Sequence, residues 1–523
     1  MSETTETLFE RFGPAYRWFV TFTCLAGAFA MVLSATVVNV AVPKIMGAFG
    51  VGQDQAQWMA TAFLATMTAS QLLNAWMIAS LGYRAAFIMT LGIFTAGSVV
   101  CAAAASIEML IAGRIMQGFA AGIVQPLAMV TIVQVFPENR RGTAMGIFGA
   151  GVTLAPGIGP FVGGIAIDVV SWRFMFLLPL GFVFLAFIGG LLFMPTRDET
   201  RRRPPFDWGG YILLCTALVL AMTAIARGPV EGWTSNTILL EAAGALLAGT
   251  AFVAWQMRSR SPLLAVELFS NPVFLSALVV AFVFGMGNFG SSYLIPVFVQ
   301  EVQGFTPTKA GLVLVPAGLA LVVALPFTGR LADHVPGHLM VLLGLACFAL
   351  GTAFMVTSDV NTAFWTFAFY TAVSRIGLAF ILPSLSATAF RALGPSDLTK
   401  GAGNMNFIRQ LGGATGTNLI VVWLQMRTAR HGEFLTATQT PDNETTRELL
   451  RQFADKLGIL GIPDGIRDPV ALDFLGRVVL AQAEMFGFRD SFLALAVVFA
   501  LALIPAWVLG RAGRRRDRAE AAE

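Results

Sequence analysis

Residues 492–508 read Phe-Leu-Ala-Leu-Ala-Val-Val-Phe-Ala-Leu-Ala-Leu-Ile-Pro-Ala-Trp-Val, without one ionisable side chain. The run 238–255 is its counterpart upstream, with Glu241 as its single ionisable residue. A helix rising 1.5 Å per residue needs about twenty apolar residues to cross a hydrocarbon layer of about 30 Å. Runs of that length recur along the chain, divided by short linkers that carry Arg and Lys at every second crossing. The chain is 56% hydrophobic and 12% charged, against about 25% charged in soluble domains. Its 53 glycines and 24 prolines suit packed, kinked membrane helices. The sequence therefore predicts an all-α polytopic membrane protein.

The remaining composition excludes several classes. A net charge of +4 gives nucleic acid no basic face to bind. Cys24, Cys101, Cys215 and Cys347 all fall inside apolar runs without metal-ligand spacing, and read as buried small hydrophobes. With only His334, His338 and His431, neither a haem nor a zinc centre is expected, and no cofactor. Residues 1–16 lack the basic region and cleavage site of a signal peptide, so the first apolar run is expected to remain as the first span.

Fourteen spans are expected, at 17–42, 56–80, 85–105, 108–134, 143–167, 172–194, 208–227, 236–257, 272–299, 309–329, 339–357, 362–390, 400–424 and 488–510. With the N-terminus in the cytoplasm, the inner connections receive Arg84, Arg140, Arg141, Arg197, Arg201–Arg203, Arg258, Arg260, Arg330, Arg391 and Lys400. The tail 511–523 adds further arginines. The short outer loops receive little beyond Lys44, Arg173, Arg227 and Lys309, so the positive-inside rule is met and both termini are expected in the cytoplasm. One outer connection, 425–489, is long. It reads as polar loop at 436–446, followed by amphipathic helical spacing at 448–457 and 471–485. An outer cap and a mobile loop are both compatible with that pattern.

Ions in hydrocarbon are costly and therefore informative. Arg114 lies in Ala112-Gly-Arg-Ile-Met-Gln-Gly-Phe-Ala-Ala-Gly122, where helical spacing puts Arg114, Gln117 and Gly118 on one face. It is expected either to act on a substrate anion or a carboxylate, or to tie helices together through backbone carbonyls. In Gly151-Val-Thr-Leu-Ala-Pro-Gly-Ile-Gly-Pro-Phe-Val-Gly-Gly164, Pro156 and Pro160 remove helix hydrogen bonds, and glycines including Gly159 relieve crowding. A kinked, tightly packed hinge follows, serving gating or packing alone. The stretch Gly401-Ala-Gly-Asn-Met-Asn-Phe-Ile-Arg-Gln-Leu-Gly-Gly-Ala-Thr-Gly416 is polar for a span. Its Asn404, Asn406, Arg409 and Gln410, like Arg375, either line a wet cavity or satisfy bonds between helices.

These motifs resemble those of the major facilitator superfamily, specifically its fourteen-span drug:proton antiporter family of the EmrB/QacA type. Arg114-x-x-Gln-Gly118 resembles the fourth-span motif, and Ala155-Pro-x-x-Gly-Pro-x-x-Gly-Gly164 the fifth-span antiporter motif. Ser171-Trp-Arg-Phe-Met-Phe176, Gly329-Arg-Leu-Ala-Asp333 and Asn406-Phe-Ile-Arg-Gln-Leu-Gly-Gly413 match further family segments. The resemblance implies two six-helix bundles, at 1–194 and 272–510, with two additional helices in the linker 195–271. It also implies alternating access, export of lipophilic small molecules, proton coupling, a bacterial inner membrane and, in some relatives, a periplasmic membrane-fusion adaptor.

Two departures qualify it. Leu33-Ser-Ala-Thr-Val-Val-Asn-Val-Ala-Val-Pro43 carries Ser34 where the family usually has Asp. Ala75, Ala79 and Ser80 replace the Gly, Asp and Arg of the first loop motif. No acid falls near the middle of a span, so the central ions are Arg114, Arg375 and Arg409. That balance favours neutral or anionic amphiphiles over organic cations. Ser34, Asn39, Gln71, Gln125, Asn288, Arg375, Asn404, Asn406 and Arg409 are the expected cavity residues. Arg114, Gln117, Pro156, Gly159, Pro160, Asp168, Asp333 and Asp490 are expected to couple or gate. A membrane enzyme is not expected, for want of a His cluster, paired central carboxylates or a Ser/His/Asp arrangement. Export of an endogenous lipid or metabolite, and a scaffold without turnover, remain alternatives to drug export.

Overall fold

A backbone in hydrocarbon must satisfy its polar groups within each segment or in a closed barrel. This chain takes the first course. The computed structural model describes residues 5–137, 140–196, 205–259, 261–332, 335–394, 397–440 and 442–510, and they are helical with no strand among them. A short α1 (Thr5–Phe12) leads into α2 (Tyr16–Phe49), the brief α3 (Gln53–Ala56) and the pair α4 (Trp58–Ser70) and α5 (Asn74–Leu81). The first half is completed by α6 (Tyr83–Ala102), α7 (Ile107–Val135), α8 (Arg141–Val169) and α9 (Leu180–Phe193). A hairpin of α10 (Trp208–Glu231) and α11 (Asn236–Gln256) follows. The second half comprises α12 (Pro272–Glu301), α13 (Pro307–Ala332), α14 (Gly337–Met355), α15 (Phe364–Arg391), α16 (Leu398–Thr438), α17 (Glu444–Ile459) and α18 (Asp464–Leu501).

Among the described residues, twelve helical segments are long and apolar enough to cross a membrane. The two other expected spans are more polar or interrupted. The stretch 56–80 is divided by a 3₁₀ turn at Gln71–Leu73, and 400–424 lies within the 41 residues of α16. Both still pack as bundle helices, α4 against α7 and α16, and α16 against α12 and α18. The outer connection corrects its expected form. The loop expected at 436–446 is shorter, lying between Thr438, where α16 ends, and Glu444, where α17 starts; the stretches 448–457 and 471–485 are helical as expected, and α18 begins at Asp464 and continues into its apolar run. Phe453 and Phe474 stack at 3.9 Å and fasten α17 to α18.

Three cores show how the halves meet. One belongs to the first half and is built from residues such as Tyr16, Met77, Phe87, Val124 and Met194, with Ala414 as the single contribution from the second. Another lies in the second half, around Phe274, Val341, Leu385 and Leu509. The third joins both, and its members, among them Val42, Ile45, Ile107, Trp172, Val299, Ala310, Met355 and Phe488, come from helix ends far from the termini. The halves are thus fused at that end, while toward the termini each keeps a core of its own. On one flank α8 meets α13 backbone to backbone: a Cβ on Gly318 would stand 2.3 Å from the Gly157 Cα, and one on Gly311 2.2 Å from the Pro160 carbonyl oxygen. Only glycine permits that approach.

The α10–α11 hairpin covers the other flank. Its small core unites Leu214, Leu218 and Phe252 with Ala69 of α4 and Phe407 of α16. Asp207 caps α10 by accepting from the Gly210 N–H (2.9 Å), and it also accepts from Trp255 Nε1 (2.7 Å) and Gln256 Nε2 (2.9 Å). Burial alone would raise the Asp207 pKa, but these donors and Ser259 outweigh it and hold the carboxyl below its usual range. Glu241, the ion inside α11, is neutralised by Arg227 at 3.1 Å. Asn418 Nδ2 donates to the Met222 carbonyl at 2.8 Å and pins the hairpin to α16.

Candidate functional site: a cationic waist between two halves

Arg114 is completely enclosed within the first half. Its Nε donates to the Met59 carbonyl (3.0 Å), and its Nη1 to Gln117 Oε1 (2.8 Å), Ser34 Oγ (3.0 Å) and the Ser34 carbonyl (3.3 Å). The guanidinium lies 4.2 Å from the Phe63 ring centre, a cation–π contact. Gln117 passes the network to Ser98 at 2.9 Å. Nη2 is buried without a hydrogen-bond partner. Ser34 therefore stands at the guanidinium where the family's acid would stand, and dipoles compensate the charge. The contacts with Met59 and Ser34 are of the helix-tying kind.

Arg375 occupies the seam itself. Nη1 donates to Asn288 Oδ1 (3.1 Å) and Nη2 to Ser292 Oγ (3.0 Å). With Thr36, Asn39, Asn288 and Ser292 it lines a cavity of about 40 Å³ between the halves, walled by Pro156, Gly157 and Pro160 of α8 and by Leu314, Gly318 and Leu321 of α13. Asn39 Nδ2 crosses the seam to the Ser292 carbonyl at 3.0 Å. Gly159 sits just behind, where a Cβ would meet Thr36 Oγ1 at 2.8 Å. A second bridge lies on the α4–α16 flank: Asn406 Nδ2 donates to Gln71 Oε1 at 3.0 Å and accepts from Arg409 Nη2. Thr36 and Ser292 were not among the expected residues. Their hydroxyls give no sequence signal, because serine and threonine in helices commonly bond to their own backbone.

Other expected residues have different duties. Asn404 is not aimed at the cavity, since its amide is consumed by the backbone of Ala265 at 2.8 and 3.2 Å, anchoring the segment before α12. Gln125 is half-buried beside Pro126 on α7. Asp168, at the end of α8, accepts from the Thr308 N–H (2.9 Å) and hydroxyl in the first turn of α13, joining the halves. Asp490 pairs with Arg427 (2.5 Å) and His431 (2.8 Å) at the base of the α16–α18 projection. Asp333 lies outside the described residues.

A helical membrane protein with two fused halves and a polar seam cavity belongs to the class of polytopic transporters. The family model of the Major Facilitator Superfamily matches residues 24–417, and the chain is a member of that superfamily. It is 32% identical to the uncharacterized MFS-type transporter YcnB of Bacillus subtilis, over 78% of this chain and 86% of that one. The methylenomycin A resistance protein of Streptomyces coelicolor is 30% identical over 76% and 84%. The multidrug export protein EmrB of Haemophilus influenzae is 26% identical over 93% and 94%. Among solved structures, an inward-facing bacterial homolog of the human lysosomal transporter Spinster aligns with a TM-score of 0.62 at 16% identity, over 95% of this chain and 98% of that one. The peptide transporter POT aligns with a TM-score of 0.62 at 14% identity, over 96% of each chain. These confirm the fold.

Proposed function

We propose that this transporter exports lipophilic small molecules across a bacterial cytoplasmic membrane by alternating access, and that neutral or anionic amphiphiles are preferred. The observation that carries the reading is the lining of the seam cavity, one guanidinium, two asparagines and two hydroxyls but no carboxylate; with room for about one water in this state, it receives a substrate only when the halves part. An anion there gains a charge-assisted bond, whereas an organic cation meets Arg375. The resistance and multidrug-export relatives support export of foreign compounds.

On this reading fourteen helices cross the bilayer as two six-helix bundles, 1–194 and 272–510, with α10 and α11 between them. The basic connections support a cytoplasmic position for both termini. The fused end is then outer, and the state is open or opening toward the cytoplasm. Protons supply the drive, at about 2.3 kcal/mol per charge per 100 mV. Asp490, beside Arg427 and His431, is the favoured acid over Asp168, which is occupied with Thr308. The α16–α18 projection is the surface offered to a periplasmic adaptor.

The test is flux in proteoliposomes, using matched anionic, neutral and cationic amphiphiles with and without a proton gradient. Gradient-driven transport of the anionic and neutral members is expected, weakened at least tenfold for the anion by Arg375→Gln. Preferential cation transport would overturn the stated preference, and flux indifferent to the gradient would overturn proton drive.

A further inference from the structure

Asn39 lines the seam cavity and carries an acceptor that nothing in its surroundings fills. The residue is 5% exposed. Its Nδ2 donates across the seam to the Ser292 carbonyl at 3.0 Å. A carbonyl can only accept, so this bond fixes which end of the amide is nitrogen and leaves Oδ1 as the free end. Oδ1 is buried without a hydrogen-bond partner.

The neighbouring donors are spent elsewhere. Thr36 Oγ1 donates to the Val32 carbonyl at 3.1 Å, and Ser292 Oγ to the Asn288 carbonyl at 2.6 Å. A hydroxyl has one proton to give. Arg375 directs Nη1 to Asn288 Oδ1 and Nη2 to Ser292 Oγ. A buried acceptor left open costs about 1–3 kcal/mol, so a ligand that donates to Asn39 is favoured over one that does not.

The two walls of the cavity therefore differ in kind. Asn39 on α2 offers an acceptor, and Arg375 on α15 offers a positive charge. Both hold the same residue of α12, Asn39 through the Ser292 carbonyl and Arg375 through its hydroxyl. Their polar heads are thus about one residue apart. An acid bound to Arg375 brings the substituents of its nearest carbons to Asn39.

We infer that the favoured substrate is an amphiphilic hydroxy acid, its carboxylate on Arg375 and a hydroxyl a few bonds away donating to Asn39 Oδ1. Leu314 and Leu321 of the lining receive the first part of its apolar chain. The inference rests on the export reading and narrows its anionic class. A plain fatty acid satisfies Arg375 and leaves Asn39 open, whereas an alcohol does the reverse. A site that hydrogen-bonds a ligand hydroxyl rejects the analogue lacking it, because its own buried group is then unpaired.

The probes are β-hydroxyoctanoate and β-fluorooctanoate, similar in size and both ionised at neutral pH, of which only the first can donate. Binding is measured to the full chain in phosphatidylcholine nanodiscs, with empty nanodiscs subtracted. The parent should bind the hydroxy acid at least tenfold more tightly than the fluoro acid. In Asn39→Leu that ratio should fall to within twofold, while the fluoro acid keeps its affinity within threefold, which shows that the variant is folded. Arg375→Gln should weaken both acids at least tenfold and leave their ratio within threefold of the parent's. Equal affinity of the parent for the two acids overturns the inference and leaves the anion preference standing. A hydroxyl preference that survives in Asn39→Leu also overturns it. No saturable binding of either acid would overturn the anion preference itself.

Discussion

Gly318→Ala places a methyl group where the α8 and α13 backbones pack directly against each other. Its Cβ would stand 2.3 Å from the Gly157 Cα, against an ordinary contact of 3.4–4 Å. Relief requires the helices to part by about 1.1 Å (3.4 minus 2.3), because the obstacle is backbone and cannot rotate away. Overpacking of this kind costs about 1–3 kcal/mol. In alternating access that cost falls on the state with the seam closed and is relieved in the state with the seam parted. About 1.4 kcal/mol is a tenfold change in the ratio of two states, so a shift of roughly tenfold toward outer-end separation is expected. Spin labels at Lys44 and Asn361, both exposed at that end in opposite halves, report it by pulsed dipolar distance measurement in nanodiscs. Gly92→Ala, whose methyl group meets nothing within 4 Å, is the control and should leave the distribution unchanged. If Gly318→Ala matches that control, the seam does not set the conformational balance and the hinge argument for residues 151–164 fails.

Arg114→Ala should abolish export in inverted vesicles while the protein still reaches the membrane, since it strips partners from the buried Met59 and Ser34 carbonyls; undiminished export would remove Arg114 from the mechanism. Ser34→Asp supplies a carboxylate to Nη1 and to the unpartnered Nη2, and bonds of that charged kind contribute about 1.5–3 kcal/mol before desolvation is subtracted. A melting temperature higher by a few degrees is expected, and a lower one would show that desolvation wins. Asp207 has a depressed pKa in the folded chain, so its stabilisation is present above the ordinary carboxyl value of about 3.9 and is lost as pH falls below it. Asp207→Asn should therefore flatten the loss of thermal stability in that acid window, which a melting series from pH 3 to 6 would detect. Asp490→Asn should abolish substrate-driven proton release in proteoliposomes, and retained release would move coupling to another acid.

Much of the helical fold can be read from the spacing of apolar residues, because the bilayer imposes a length and a polarity on each segment. The failures occur where that constraint lapses. The break at Gln71–Leu73 has no proline or glycine to announce it, and the turn packs against α7. The polar stretch 436–446 fits a loop by composition, yet its first residues continue α16 as helix to Thr438. Arg114 and Arg375 were conspicuous because each interrupts an apolar run. Asn404 was equally conspicuous, but polarity says that a residue needs a partner and not which partner; here it is the Ala265 backbone. Glu301 closes α12 and Glu484 lies within α18, and only tertiary packing places them on one cavity.

The exchange at Ser34 carries a consequence for how work is done. A buried guanidinium facing a carboxylate can change its partner's charge when a proton arrives. Arg114 faces the Ser34 hydroxyl, the Gln117 amide and the Met59 and Ser34 carbonyls, none of which titrates in the physiological range, so these partners cannot sense protons directly. The seam cavity likewise has Arg375 and no acid. The carboxylates that bridge or flank the halves, Asp168, Glu301, Glu484 and Asp490, all lie toward the fused end. Under the proposed proton drive, coupling therefore acts by opening or closing that end. Transport by Ser34→Asp should then retain its dependence on Asp490; a variant that no longer needed Asp490 would show that the coupling site follows the carboxylate to the centre of the first half.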